Sequence, residues 1–158
     1  MDYIAKGQVL KVEENKLLNY TYWSNLSGKP DVPENYNEPP SDTHLAALLD
    51  KDTFISLVAR DDQGGAVGGL VAYVLEKFEK ERKEVYIYDL AVLESHRRKG
   101  IATSLINHPK EVAKEIGAYI IFVQADKGDD PAIRLYESLG TREDVYHFDI
   151  PINQYAKP

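Results

Sequence analysis

Short runs of apolar and β-branched residues, bounded by turn residues, occupy the middle of the chain and predict β-strands. Thr53–Ala59 and Ala66–Leu75 flank the turn sequence DDQGG, which predicts a hairpin. Val85–Val92 predicts a third strand and Ala118–Ala125 a fourth, whose nearly continuous apolar run favours a buried position. Val145–Ile150 predicts a last strand.

Other segments repeat their apolar residues every three or four positions, which predicts helices. The predicted helices are Val12–Leu26, a short helix ending at Leu49, Gly100–Ile116 and Asp130–Leu139. Ser41 or Asp42 is expected to cap the short helix. Pro109 falls inside the third helix, and because proline lacks an N–H and clashes with the preceding turn, we expect a kink or a short break near Asn107–Pro109.

The order of these elements, helices first and then antiparallel strands followed by strand–helix–strand–helix–strand, predicts a mixed α/β fold. Residues 27–42 hold four prolines and few apolar residues, which indicates a loop. A loop of this length is either a binding loop or an ordinary surface excursion. It is too short to separate two domains, so we expect one domain over residues 1–158.

The charge of the chain narrows the classes of partner. The 158 residues carry 19 basic and 26 acidic side chains, so the formal net charge is 19 − 26 = −7. This balance argues against binding to nucleic acid or to anionic lipid and favours cationic partners. The absence of cysteine excludes disulfides, thiolate metal sites and a cysteine nucleophile. No signal peptide and no long apolar run is visible, so we expect a soluble, cytoplasmic protein.

One segment combines a strand, a basic turn and the start of a helix. Val85–Val92 leads into His96-Arg-Arg-Lys-Gly100, where the next predicted helix begins. The first N–H groups of a helix have no internal partner and form an anion site with the helix dipole. The segment is therefore either a phosphate or pyrophosphate site or a basic helix start on the surface. It matches neither a Walker loop nor the GxGxxG fingerprint.

The same segment carries a family resemblance. Arg97-x-x-Gly100-x-Ala102 resembles the Arg/Gln-x-x-Gly-x-Gly/Ala motif of the GNAT superfamily of acetyl-CoA-dependent N-acetyltransferases. YIYDLAV resembles the fourth strand of that fold, AYIIFVQAD the fifth, and DDPAIRLYESLG its second cofactor segment. The resemblance implies the GNAT fold, with a mostly antiparallel central sheet, splayed fourth and fifth strands and flanking helices.

Within the superfamily, five segments in order are similar to the type I aminoglycoside 3-N-acetyltransferases, namely AYVLEKFE, YIYDLAV, HRRKGIAT, QADKGDDPA and HFDI. The resemblance implies direct transfer of an acetyl group from acetyl-CoA to the 3-amino group of a 2-deoxystreptamine aminoglycoside in a ternary complex. It implies resistance to gentamicin-type antibiotics. It leaves the oligomeric state open, since homodimers are common in the superfamily.

Asp89 is the first candidate catalytic residue. By strict alternation it shares a face with Val85, Ile87 and Ala91, while Tyr86, Tyr88 and Leu90 share the other. A carboxylate among such neighbours is costly unless it is bonded or functional. Asp89 is therefore a general base for the substrate ammonium group, an electrostatic partner of that cation, or a structural aspartate bonded to a strand end.

The resemblance assigns roles to further residues. Tyr136 would donate a proton to the departing thiolate, and the backbone N–H of Val92 would bind the thioester oxygen; the other reading of Tyr136 is a core aromatic. The residues implied to bind acetyl-CoA are Leu90, Ala91, Val92, Arg97, Arg98, Lys99, Gly100, Ile101, Ala102, Thr103, Asp130, Ala132 and Tyr136.

A polycationic acceptor needs carboxylates around a wet cleft. The expected acceptor-binding residues are Glu79, Tyr88, Asp89, Gln124, Asp126, Asp129, Asp130, His147 and Asp149. Each acid has the alternative of being a solvated surface charge, Asp130 can instead cap the helix that follows, and no cluster suits a metal. Two other functions stay open: acetylation of another polyamine or a peptide amine, and a non-catalytic acyl-CoA-binding domain.

Overall fold

The computed structural model describes residues 2–5, 8–14 and 40–152, with side chains from residue 40 onward. The chain divides into two compact units, residues 1–124 and residues 125–158. The first unit holds all the strands of the described residues, and the second holds one helix and irregular chain.

A six-stranded sheet forms the first unit. Its strands lie in the sheet in the order in which they occur along the chain. They are β1 (Asp2–Ala5), β2 (Gln8–Glu14), β3 (Phe54–Arg60), β4 (Ala66–Lys77), β5 (Arg82–Val92) and β6 (Ala118–Val123). Neighbouring strands are antiparallel except for β5 and β6, which are parallel because a helix connects them. This is the mixed α/β architecture that the order of elements predicted.

Three α-helices occur in the described residues: α1 (Asp42–Leu49), α2 (Ile101–Glu115) and α3 (Asp130–Glu137). Ser41 caps α1, since its side chain accepts a hydrogen bond from the His44 N–H at 3.2 Å. A single 3-10 turn, Glu94–His96, joins β5 to the segment before α2.

The core of the first unit lies between α2 and one face of the sheet. Leu57, Leu70, Val85 and Leu105 are fully buried there. Gly68 sets how closely helix and sheet approach, because a Cβ at this position would lie 3.1 Å from Cγ2 of Ile101 and 3.2 Å from Cδ1 of Leu105. The even-numbered residues of β4 around Gly68 therefore face α2.

The predicted first helix is wrong at its start. Val12 to Glu14 belong to β2, which pairs with β3, and a second strand precedes it. The rest of the predicted helix, residues 15–26, and the loop up to residue 39 lie outside the described residues. The chain therefore begins with a hairpin, because pairing with β3 decides a segment whose local pattern is ambiguous.

The predicted break at Pro109 does not occur either. Helix α2 runs from Ile101 to Glu115 with Pro109 inside it. Proline removes only the hydrogen bond to the carbonyl of residue 105, and its ring is fully buried, so packing offsets that loss.

Two strand predictions need correction. Residues 145–150 form no strand, because no described residue offers them a ladder partner, and Tyr146, Phe148 and Ile150 are exposed. Strand β6, which the sequence places in the interior, is the last strand of the described sheet and borders only β5. Tyr119 and Ile120 of β6 are accordingly exposed.

Candidate functional site

The turn before α2 presents backbone N–H groups without side-chain caps. Gly100 is the N-cap residue, with φ of 83°, and as glycine it has no side chain to accept from the helix. Arg98 is also left-handed, with φ of 62°, the one non-glycine residue with positive φ among those described. The N–H groups of Ile101, Ala102 and Thr103 therefore lie at an open helix start, which is an anion site.

The side chains of this turn hold it in place or carry positive charge at its surface, and Arg97 does both. Arg97 Nε donates to the Val92 carbonyl at 3.2 Å and so ties the turn to the end of β5. The Ile101 side chain is buried against Gly68, which leaves only its backbone N–H for a ligand. Arg97 and Arg98 are exposed and Lys99 is partly exposed, so positive charge surrounds the helix start.

Strand β6 ends well before β5 reaches this turn. Their pairing runs from Lys83 with Ala118 to Ile87 with Val123, the last residue of β6, and β5 continues to Val92 without a β6 neighbour. We call the uncovered edge of β5 beyond Ile87 the gap; the splay that the resemblance implies stays a prediction.

The register of β5 with β4 determines which N–H groups point into the gap. Val92 lies opposite Gly68, and the Leu93 N–H donates to the Val67 carbonyl at 2.9 Å. The pair Val92–Gly68 is therefore a non-hydrogen-bonded pair, and the N–H of Val92 points away from β4. Leu90, two residues earlier, has the same orientation, so two donors face the gap while Ala91 bonds to β4.

Asp89 lies on the other face of the sheet from the one expected. Val71 pairs with Asp89, but Ala72 pairs with Ile87, so Tyr88 is an extra residue, a β-bulge. Cross-strand partners share a face. Asp89 is therefore on the face opposite α2 together with Ala91, while Leu90 shares the face of Val85 and Ile87. Simple alternation failed here because it assumes an uninterrupted strand.

Three tyrosine rings lie on the same face of the sheet as Asp89. The Tyr88 ring lies 5.8 Å from the rings of both Tyr73 and Tyr86 and meets each edge-on. Burial first, and then the nearby Tyr88, raise the pKa of the Tyr73 and Tyr86 hydroxyls above the ordinary tyrosine value. Both hydroxyls therefore stay neutral at physiological pH and can act as hydrogen-bond donors.

Two residues of the first unit that the sequence predicts to bind the acceptor substrate make contacts within the protein. Gln124 Oε1 accepts from the Tyr86 hydroxyl at 3.0 Å. Glu79, in the turn between β4 and β5, lies 3.3 Å from Lys77 and 3.7 Å from Arg82. A backbone hydrogen bond and these cations lower the pKa of Glu79. Glu79 is thus part of an ion-pair cluster on the hairpin.

In the second unit, the residue that caps α3 is Asp129, rather than Asp130. Asp129 Oδ1 accepts from the Ala132 N–H at 3.2 Å, while Asp130 lies within the helix, 3.7 Å from Arg134. Pro131 favours this arrangement because proline suits the first turn, which moves the cap one residue earlier than expected. The N–H of Ala132, a predicted cofactor contact, is thereby engaged by Asp129.

The remaining predicted residues of the second unit are Asp126, Tyr136, His147 and Asp149. The carbonyl of Asp126 accepts from the Asp129 N–H at 3.1 Å, and that of Tyr136 accepts from the Gly140 N–H at 2.9 Å. His147 Nε2 lies 3.0 Å from Asp149 Oδ1, and both side chains are exposed.

The sequence pattern assigns Tyr73 only to a strand of the predicted hairpin and does not make it a candidate site residue. The position of the turn indicates the cross-strand pairing: a turn centred on residues 78–81 places Tyr73 opposite Tyr86. Gly68 was also missed, although a glycine pair inside an apolar strand indicates a close approach of another element.

Comparison with known proteins now decides the family. The model of the acetyltransferase (GNAT) family matches residues 19–141. The chain belongs to the GNAT acetyltransferase family. The open start of helix α2 and the gap beside β5 are thus parts of a GNAT acetyltransferase fold.

Solved structures give a more specific likeness. The aminoglycoside acetyltransferase HMB0005, from an uncultured soil metagenomic sample, is 46% identical with a TM-score of 0.82, over 91% of this chain and 99% of its own. The aminoglycoside acetyltransferase meta-AAC0020, from the same kind of source and in complex with sisomicin, is 33% identical with a TM-score of 0.77, over 91% and 97%. This GNAT chain is structurally close to aminoglycoside acetyltransferases.

The curated relatives match a smaller part of this chain and are longer than it. An N-terminal acetyltransferase complex ARD1 subunit homolog of Dictyostelium discoideum is 35% identical over 65% of this chain and 54% of its own length. Streptothricin acetyltransferase of Streptomyces lavendulae is 29% identical over 58% and 44%. The chain spans about half the length of these relatives or less. None of the helices in the described ranges has the length and apolar character needed to cross a bilayer.

Proposed function

We propose that this acetyltransferase transfers the acetyl group of acetyl-CoA to the 3-amino group of a 2-deoxystreptamine aminoglycoside. The observation that carries the proposal is the 46% identity to an aminoglycoside acetyltransferase over 91% of the chain. A second relative, 33% identical, was solved in complex with the aminoglycoside sisomicin and, in a separate structure, in complex with trehalose.

The residues at the start of α2 fit the cofactor that the family uses. Coenzyme A carries a pyrophosphate, and the left-handed Arg98 and Gly100 expose the N–H groups of Ile101, Ala102 and Thr103 to such a group. The exposed guanidinium of Arg98 adds a positive charge, while Arg97 also holds the turn to Val92. When bound, acetyl-CoA supplies a thioester that an amine can attack.

The chain's own groups then act on the acyl oxygen and on the amine. The N–H groups of Leu90 and Val92, which point into the gap beside β5, donate to the oxygen on which negative charge develops. Asp89, on the face opposite α2, pairs with the acceptor ammonium and takes its proton, directly or through water. Tyr136 keeps the role that the resemblance implies, protonation of the departing thiolate.

The proposal is tested by following thiol release from acetyl-CoA with purified protein. Gentamicin and sisomicin are expected to give release above background, and NMR of the product is expected to place the acetyl group on the 3-amino nitrogen. Thiol release with spermidine or a peptide, but with no aminoglycoside, would contradict the proposal. Acetylation at a different amine would refute the regiospecificity while leaving the drug class intact.

The general-base assignment has its own test. Asp89→Asn is expected to lower kcat by about 100-fold or more, in line with the loss of a general base, with little change in the Kd for coenzyme A. The matched control is Glu76→Gln, which removes an exposed carboxylate paired with Lys83 on the hairpin. An unchanged kcat in Asp89→Asn contradicts the assignment.

A second candidate function is acetylation of a peptide amine. It is favoured by the 35% identity to the ARD1 subunit homolog, which extends over only 65% of the chain. Peptides with a free N-terminus are therefore included as acceptors in the assay, and a higher kcat/KM for them than for any aminoglycoside would establish this candidate instead.

A further inference from the structure

Three tyrosines of two strands form a cluster beside Asp89 that the reaction chemistry does not require. We call Tyr73, Tyr86 and Tyr88 the tyrosine triad. Tyr73 and Tyr86 are cross-strand partners, and the Tyr88 ring lies 5.8 Å from each, at 85° to Tyr73 and 80° to Tyr86. The Tyr88 ring is therefore nearly perpendicular to the other two rings, which is a favourable aromatic geometry.

Aromatic residues of the neighbouring strands pack against the rings of Tyr73 and Tyr86. Phe54 of β3 lies 5.2 Å from Tyr73, and Phe122 of β6 stacks on Tyr86 at 4.8 Å with an angle of 10° between the rings. The Tyr86 hydroxyl donates to Gln124. A row of aromatic residues thus crosses four strands and gives Tyr88 a rigid base.

Exposure separates Tyr88 from the rest of this row. Phe54 is buried and Tyr73, Tyr86 and Phe122 are half-buried, whereas Tyr88 is 64% exposed. Tyr88 is also the extra residue of the β-bulge, so the regular ladder does not need it. Its exposed ring stands next to Asp89, on the same face of the sheet.

We propose that Tyr88, supported by Tyr73 and Tyr86, is a specificity-determining residue that binds the amine-bearing ring of the acceptor next to Asp89. The ring face attracts ammonium groups through the π-system and packs against the C–H groups of a saccharide, while the Asp89 carboxylate binds the reacting amine. The inference rests on the proposed function and specifies the acceptor as a rigid cationic amino-sugar ring. The net charge of −7 is complementary to such a ligand.

The discriminating experiment measures KM and kcat for sisomicin in two variants at position 88. Tyr88→Ala is expected to raise KM by about 5- to 30-fold, the range of a desolvated cation–π contact. Tyr88→Phe is expected to restore most of the affinity, because the ring is kept. The Kd for coenzyme A, measured by calorimetry, is expected to stay at the wild-type value in both variants.

A matched control is available on β6. Tyr119 is as exposed as Tyr88, but its ring is engaged by Arg82 at 4.6 Å. Tyr119→Ala is expected to leave KM for sisomicin unchanged.

Two results overturn the inference and can be told apart. If the wild-type protein acetylates sisomicin but Tyr88→Ala keeps KM within about twofold, the role of Tyr88 is wrong and the proposed function stands. If the wild-type protein acetylates no aminoglycoside, both fall together. A rise in KM that Tyr119→Ala reproduces also contradicts the inference, since loss of any exposed tyrosine would then suffice.

Discussion

Two serines show that the contribution of a hydroxyl group to stability depends on its hydrogen-bond partners. Ser41 Oγ caps α1. Ser56 Oγ, on β3, is buried and has no hydrogen-bond partner in the described part of the chain. It lines a cavity of about 230 Å³ that it shares with His108, whose Nδ1 also lacks a partner among those residues.

Replacing these serines by alanine is expected to lower the free energy of unfolding at position 41 but not at position 56. Ser41→Ala removes a cap and is expected to lower the free energy of unfolding by about 1 kcal/mol. Ser56→Ala removes an unsatisfied hydroxyl and is expected to leave that free energy unchanged or raise it by about 1 kcal/mol. Urea unfolding measures both. A clear loss of stability in Ser56→Ala would show that the hydroxyl does have a partner.

The packing around Gly68 leaves too little space for a larger residue. The Cβ of Gly68→Ala would lie 3.1–3.2 Å from Ile101 Cγ2, Leu105 Cδ1 and the Ala91 carbonyl, and the carbonyl cannot move without distorting β5. We expect a loss of about 1–3 kcal/mol in the free energy of unfolding. Gly140→Ala is the control, because its Cβ would meet only a carbonyl 3.9 Å away.

Among the elements, β5 has two different halves. Its first half pairs with both β4 and β6, and its second half pairs with β4 alone. The β6 pairing ends at Ile87, directly before the bulge at Tyr88. Since a bulge bends and twists the strand that contains it, we expect the bulge to contribute to the end of the pairing and so to the gap.

Deleting Tyr88 tests that account. The deletion would join Ile87 to Asp89, whose partners Ala72 and Val71 are adjacent, so the β4–β5 ladder would become regular. The variant is expected to fold, with near-native far-UV circular dichroism, but to bind coenzyme A at least about 10-fold more weakly because the gap closes. Tyr88→Ala keeps the bulge and serves as the comparison. Unchanged coenzyme A binding in the deletion would separate the bulge from the gap.

For the whole molecule, the charge predicts a dependence on ionic strength. An excess of seven acidic side chains attracts a polycationic acceptor over a distance that salt shortens. We expect KM for sisomicin to rise by about threefold or more between low salt and about 0.5 M salt, with a smaller change in kcat. A monoamine acceptor should show a weaker effect, and equal effects on both would contradict the electrostatic explanation.

Local pattern predicted most of the fold from residue 40 onward. The strands β3 to β6 and the three described helices lie within a few residues of their predicted bounds. The two segments whose strand or helix character was predicted wrongly share one cause. Val12 to Glu14 form a strand because β3 pairs with them, and residues 145–150 form none because no described strand does. Strand formation depends on a partner distant in sequence, which local propensity does not contain.

The sequence by itself determined the family, the basic turn before α2 and the presence of Asp89 in an apolar strand. These features are local: a glycine, a run of cations and the composition of single segments. Tertiary structure decided which face Asp89 occupies, which N–H groups point into the gap and that Tyr73 joins Tyr88. All three depend on cross-strand register, and a one-residue bulge reverses the face that alternation assigns to each residue after it, because side chains of a strand change face with each residue.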